Sequence, residues 1–278
     1  MWADFTQLIT SLGQCKYFPA SSHQVLLFVA YLSNKGESSS TVSSKLSAIS
    51  WFHKLHNFND PTASFVITRA VQGLKKAKPT IQTRLPIDRS LLHNIISILP
   101  TIFSSTYDVT LSTAILLLMY HGCFRVGELL FSGSNKHSLC LENIHIQSND
   151  SKPQLQITLQ SHKHKSTPTS FILPSSPLFC PVTATLNYSA IRPKTPGVFF
   201  IHKGGSPVQR NFLADLIKKS VKILGLNPDL FNTHSIRSGR ATDLAREGVP
   251  ESIIKATGRW SSDAFKKYIQ FDCFVLPH

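Results

Sequence analysis

Apolar residues recur at three- and four-residue intervals from Ser22 to about Lys78, the rhythm of consecutive amphipathic helices. HQVLLFVAYLSNKG predicts an apolar helix with Gly36 as its stop signal. ESSSTVSSKLSAISWFHKLHNF opens on a serine-rich cap and is expected to put Val42, Leu46, Ile49, Trp51 and Phe52 on its apolar face. After the turn NDPT, ASFVITRAVQGLKKAK predicts a further amphipathic helix that ends in lysines. These segments make a small all-α unit.

The period breaks at KPTIQTRLPID, which holds two prolines, Lys78 and Arg84 but a single acid, Asp88. This stretch reads as an exposed basic linker, with a boundary near Pro79 that divides the chain into residues 1–79 and 80–278. Beyond it, YDVTLSTAILLLMYHG is apolar nearly all round and predicts a buried helix stopped by Gly122, after which FRVGELLF starts a short one. NIHIQ, QLQITLQ and SFILP alternate apolar and polar residues, with Leu155, Ile157 and Leu159 on one face, so they predict strands. The loop SHKHKSTPT joins the last two. Helical text then runs from PVTATLNYSAI through HSIRSGRATDLAREG to SSDAFKKYIQF. The fold class is therefore mainly α with a small antiparallel β-sheet in the second unit, an α+β arrangement.

Charge narrows the partners. Lys+Arg 29 against Asp+Glu 15 gives a net +14 over 278 residues, which favours polyanions, nucleic acid ahead of an anionic membrane surface. The longest apolar run, AILLLMY, falls well short of the roughly 20 residues of a spanning helix, and the first residues carry no signal-peptide pattern. The five cysteines are odd in number and scattered, so they read as reduced thiols of an intracellular protein. His53 and His56 share a helix face, and His162 and His164 flank a lysine, but neither pair has cysteine or carboxylate company, so no metal site is expected. HKGGSP lacks the spacing of a phosphate loop and reads as a turn.

Several stretches concentrate groups suited to a phosphate. Arg125 opens a short helix directly after the buried one; His234, Arg237 and Arg240 are spaced three apart in HSIRSGR; Lys163 and Lys165 lie in the hairpin loop; Trp260 and Tyr268 lie near the end. Cleaving a phosphodiester without a metal requires donors for the charge on the non-bridging oxygens, a nucleophile, and an acid for the departing oxygen. Guanidinium groups, a histidine and an indole N–H serve the first need, a tyrosine hydroxyl the second and a lysine the third. Each residue also has an ordinary reading. Arg125 and Glu128 form an i, i+3 ion pair, Trp260 and Tyr268 pack, and the loop lysines are solvated.

Taken in order, FRVGELL, HSIRSGRAT and GRWSSDAFKKYI resemble the first-arginine, His-x-x-Arg and nucleophile boxes of the tyrosine recombinases, or phage integrase family. Within it the chain looks most like the eukaryotic DIRS-like mobile-element branch. TVSSKLSAISWFHKL followed by NDP resembles the family's SAM-like core-binding domain, and the resemblance spans about Ser22 to Gln270. It implies that residues 1–79 bind DNA and that residues 80–278 are the catalytic domain. Arg125 and Arg237 would bind the scissile phosphate with His234 beside them. Trp260 would stand where many members have histidine, and Tyr268 would form the 3′-phosphotyrosine bond. Counting from the strand ITL favours Lys163 as the general acid, with Lys165 as the alternative. The resemblance also implies that no metal, ATP or other cofactor is needed, and that four protomers act on two double-stranded DNA sites. The location would be the nucleus if the chain is eukaryotic, and otherwise the cytoplasm or nucleoid. Lys75, Lys76, Lys78 and Arg84, with Lys165 and Arg240, are expected to contact DNA phosphates as a clamp closes on the duplex. The expected function is site-specific recombination serving integration or excision of a mobile element. The alternative is a domesticated DNA-binding protein of the same fold.

Overall fold

A computed structural model describes residues 2–14, 16–77, 84–131, 133, 138–149, 152–160 and 167–270. The chain divides into two compact units, Met1–Gln82 and Thr83–His278.

The first unit is all helical: α1 (Trp2–Ser11), α2 (Ser22–Asn34), α3 (Ser39–Leu55), a 3-10 turn at Pro61–Ala63, and α4 (Phe65–Ala77). Helix α1 was not expected from the sequence; Asp4 sits in its first turn, and Phe5 and Ile9, four apart, are its buried positions. Helix α2 starts on a capping box between Ser21 and Gln24. In α3 the buried stripe is Val42, Leu46, Ile49 and His53, whereas Trp51 is 62% exposed. This corrects the expected face, because two residues beyond Ile49 is more than half a turn round the helix. His53 is fully buried with both ring nitrogens used. Its Nε2 accepts the Ala20 N–H at 2.8 Å, so Nδ1 is the protonated nitrogen and donates to the Ile49 carbonyl at 2.8 Å.

The second unit packs around α6 (Thr106–His121), which is buried over most of its circumference. Helix α5 (Arg89–Ile102) precedes it, and α7 (Val126–Leu129) follows. A three-stranded antiparallel sheet comes next: β1 (Ile144–Asn149), β2 (Lys152–Leu159) and β3 (Thr169–Pro174), in that spatial order. Ile157 of β2 stands opposite Ile144 on one side and Phe171 on the other. Leu155, Ile157 and Leu159 join the core, as their alternation predicts. Helices α8 (Pro181–Ile191), α9 (Arg210–Ile223), α10 (Thr233–Arg246) and α11 (Glu251–Gly258) complete the unit, and a 3-10 helix follows at Asp263–Tyr268. HKGGSP forms a tight turn in which the His202 N–H donates to the Ser206 carbonyl at 2.8 Å. Among the described residues no helix is long and apolar enough to cross a membrane.

The linker reading is corrected for residues 84–88. Leu85 and Ile87 donate to the carbonyls of Leu230 and Ser235, at 2.7 and 2.8 Å, and Ile87 is fully buried. Three apolar side chains, Leu85, Pro86 and Ile87, outweigh the two charges that flank them. Helix α10 meets this segment at Gly239, where an added Cβ would lie 1.7 Å from the Ile87 carbonyl oxygen, so the close approach requires glycine.

Candidate active site

The site grows from the turn that ends α6. Cys123 there adopts a left-handed backbone, φ 47°, which throws the chain back so that Arg125 becomes the N-cap of α7. Glu128 reaches back to this cap. One carboxylate oxygen accepts the Arg125 backbone N–H and the other the Arg125 guanidinium, both at 2.8 Å. The i, i+3 ion pair read from the sequence is thus present, and it is largely shielded, with the two side chains 19% and 7% exposed.

Arg237 enters from α10 and is 1% exposed. Its Nη1 donates to the Cys123 carbonyl at 2.7 Å, and its Nη2 donates to the Gly258 carbonyl. The Trp260 ring lies 4.4 Å from this guanidinium and the Tyr268 ring 5.8 Å; the two rings are 5.2 Å apart. Trp260 folds back on the end of α11 because Gly258 has no side chain, a Cβ there falling 1.7 Å from the indole. Tyr268 is the last residue of the 3-10 helix, within the stretch where the sequence predicts a helix. Ser262 caps the Ala264 N–H, and Phe265 is the fully buried anchor beside Leu244 and Ile254. The backbone carbonyl of Tyr268 accepts the Ser238 and Thr242 hydroxyls of α10. The tyrosine is therefore held beside Arg237 of its own chain.

Arg259 completes the cluster. It is left-handed, φ 57° and ψ 41°, a conformation that costs a residue with a side chain of the order of 1 kcal/mol or more. Nη2 donates to the Cys123 carbonyl at 3.0 Å and, at 2.7 Å, to the Glu128 oxygen that also accepts the Arg125 backbone N–H; Nη1 donates to the Gly122 carbonyl at 2.9 Å. The rings of Phe124 and Phe171 lie 4.8 and 4.9 Å from it. Two guanidiniums, those of Arg125 and Arg259, thus meet a single carboxylate, and Arg237 shares the Cys123 carbonyl with Arg259. Burial alone would raise the Glu128 pKa, but Arg259 and the hydrogen bonds and charge of Arg125 outweigh it and hold the carboxyl below its ordinary range. Burial, followed by the charges of Arg125 and Arg259, brings the Arg237 pKa down to about 10. Buried donors are left over here: Nε of Arg237 and Arg259 and the indole Nε1 of Trp260 have no partner among the described residues.

The remaining expected residues fall elsewhere. His234 is exposed on the first turn of α10, its backbone N–H capped by Asn232. Arg240 lies half-buried with its guanidinium 5.3 Å from the Tyr120 ring, so the three-residue spacing does not bring it to the Trp260 face. Lys75 and Lys76 are exposed in the last turn of α4, and Arg84 donates to the Asp229 carbonyl. Lys78, Lys163 and Lys165 lie outside the described residues. Arg259 was missed in the sequence because GRW draws attention to its tryptophan; the one signal was an arginine directly after the glycine that ends a helix.

The family model described as "Phage integrase family" matches residues 91–270. No curated protein matches the chain. Among solved structures, the chain is similar to the Tn1549 transposon integrase in complex with circular intermediate DNA, with a TM-score of 0.61 and 15% identity over 98% of this chain and 89% of that one. It is likewise similar to a lambda integrase dimer bound to a core site, with a TM-score of 0.61 and 14% identity over 99% and 90%. The XerH site-specific recombinase bound to its difH substrate gives 0.59 and 12% over 97% and 73%. At such identities the likeness is one of fold, the tyrosine-recombinase fold.

Proposed function

The chain belongs to the phage integrase family, and from that premise we propose that it cuts and rejoins DNA strands through a bond between Tyr268 and a 3′-phosphate. The observation that carries this reading is the Arg237 guanidinium, buried beside the Trp260 and Tyr268 rings with its Nε unpartnered. A scissile phosphate at this place meets donors held rigidly by backbone carbonyls, next to a tyrosine in the same chain.

The Tyr268 oxygen attacks phosphorus, the P–O5′ bond breaks, and the phenolic proton is released as the P–O(tyrosine) bond forms. Arg125, Arg237, His234 and the Trp260 indole N–H share the charge gathering on the non-bridging oxygens. Lys163, or Lys165 in its stead, hands the departing O5′ its proton. The new phosphodiester keeps the energy of the broken bond, so a 5′-hydroxyl of a second strand reverses the step without a cofactor. Exchange between two duplexes cuts four strands and so employs four protomers. Lys75, Lys76, Lys78 and Arg84 add phosphate contacts that are blind to sequence, and Arg240 reaches the duplex only if its side chain leaves the Tyr120 ring. The resemblance to the DIRS-like branch favours the ends of a mobile element as substrate and integration or excision as the process, in the nucleus if the chain is eukaryotic and otherwise in the cytoplasm or nucleoid.

The test is a nicked suicide duplex carrying candidate element ends. A covalent adduct that survives denaturant and disappears in Tyr268→Phe is expected. A DNA shift without an adduct favours the domesticated, binding-only alternative, and an adduct undiminished in Tyr268→Phe sinks the nucleophile assignment.

A further inference from the structure

We infer that Arg259 is a positioning residue for strand cleavage, holding Arg125 in place through Glu128; the inference rests on the cleavage reading above. The contacts form a closed path. Arg125 is held by Glu128 at two points, Glu128 by Arg259, Arg259 by the Cys123 carbonyl, and that same carbonyl by Arg237, whose other nitrogen returns to Gly258, the residue before Arg259. Arg259 joins the turn that carries Arg125 to the segment that carries Trp260 and Tyr268.

The side chain itself is a poor phosphate ligand. It is 5% exposed, both terminal nitrogens are engaged by protein oxygens, and two phenyl rings lie against the guanidinium. Its contribution is to Glu128. A buried carboxylate facing Arg125 alone would neutralise that arginine and draw it inward. A second guanidinium on the carboxylate's other oxygen balances the pull and leaves the cluster with excess positive charge. The work needs the planar fork of arginine, since a single ammonium cannot bridge Glu128 and the Gly122 and Cys123 carbonyls in this geometry. A left-handed backbone at a bulky residue, where glycine is the common occupant, is a cost that the contacts of the Arg259 side chain offset.

The experiment compares Arg259→Lys and Arg259→Gly with the unsubstituted chain. Three quantities are read: single-turnover adduct formation at saturating protein, the protein concentration giving half-saturation of the suicide duplex, and the melting temperature. Lysine keeps the charge on Glu128, and glycine relieves the backbone, so one variant remains folded if the other does not. The expected result is a loss of about 100-fold in the cleavage rate with half-saturation unchanged, the scale of a catalytic group displaced by about 1 Å. A rate within about threefold of the parent in a folded variant overturns the inference, as does a loss that follows melting or binding alone. Failure of the unsubstituted chain to form any adduct is a different result, and it removes the cleavage reading along with this one.

Discussion

Arg192 and Arg237 are both buried in the second unit, 6% and 1% exposed, and they are used differently. Arg192 spends its donors on one loop: Nε on the Phe199 carbonyl at 3.1 Å, and Nη2 on those of Thr195 and Val198 at 3.1 and 3.3 Å. It is a staple. Arg237 also holds two carbonyls, but it shares its surroundings with Arg125 and Arg259, and its Nε is left over. The surroundings of Arg237 also lower its pKa. Because the folded value, about 10, lies below the ordinary arginine value, folding disfavours the charged form. That cost is borne at every pH below the folded value and relieved only as pH rises between the two. A protein that needed only a staple would use the pattern of Arg192. Crowded cations with spare buried donors suit an anion that arrives from outside.

The largest expected effect separates the pair. Arg237→Gln should slow single-turnover cleavage by roughly a thousandfold, the upper range for removing a donor to a transition-state oxyanion. Arg192→Gln should instead lower stability by about 1–3 kcal/mol, because it strands buried carbonyls, and leave the cleavage step of the folded fraction unchanged. If the two variants behaved alike, the contrast would fail.

Exposed cations provide a second separation. Lys75→Glu with Lys76→Glu should weaken binding and reduce the slope of log affinity against log salt by about two, one for each lost phosphate contact. Cleavage at saturating protein should not change. An unaltered salt slope would remove these lysines from the DNA interface.

Much of this was legible beforehand because local spacing carries it. Arg125 after a helix stop, Arg237 three residues beyond His234, and Tyr268 eight beyond Trp260 are short-range patterns that survive without any knowledge of packing. The buried helix over Thr106–His121 and the alternation of Leu155, Ile157 and Leu159 are equally local. What escaped was set by distant partners. The role of Arg259 depends on Glu128, 131 residues away in sequence, and on a backbone conformation that no residue type announces. Arg240 has the spacing of a site residue, and its guanidinium lies 5.3 Å from the Tyr120 ring. Trp51 looked like core because it is large and aromatic, but the turn of the helix places it outside. The partners of His53, the Ala20 N–H and the Ile49 carbonyl, are likewise not announced by its spacing from His56.

Acid gives a smaller effect with a defined direction. Glu128 is held below its ordinary range, so it contributes stability that is complete above its unfolded pKa of about 4.3 and is lost as pH falls through the lower folded value. Glu128→Gln should flatten that part of the pH–stability curve. A curve unchanged by the substitution would mean that Arg259 and Arg125 do not stabilise the carboxylate.

The central claim is that the unpartnered buried donors of Arg237 and Trp260 belong to the scissile phosphate, and the indole of Trp260 reports on it most directly. The chain has three tryptophans, so their N–H resonances can be assigned by substitution. In Tyr268→Phe, which binds without cutting, adding the duplex that yields the adduct should move the Trp260 indole proton downfield. The same duplex with a neutral methylphosphonate at the cleavage position should move it much less. Equal shifts with both duplexes, or none with either, would contradict the account.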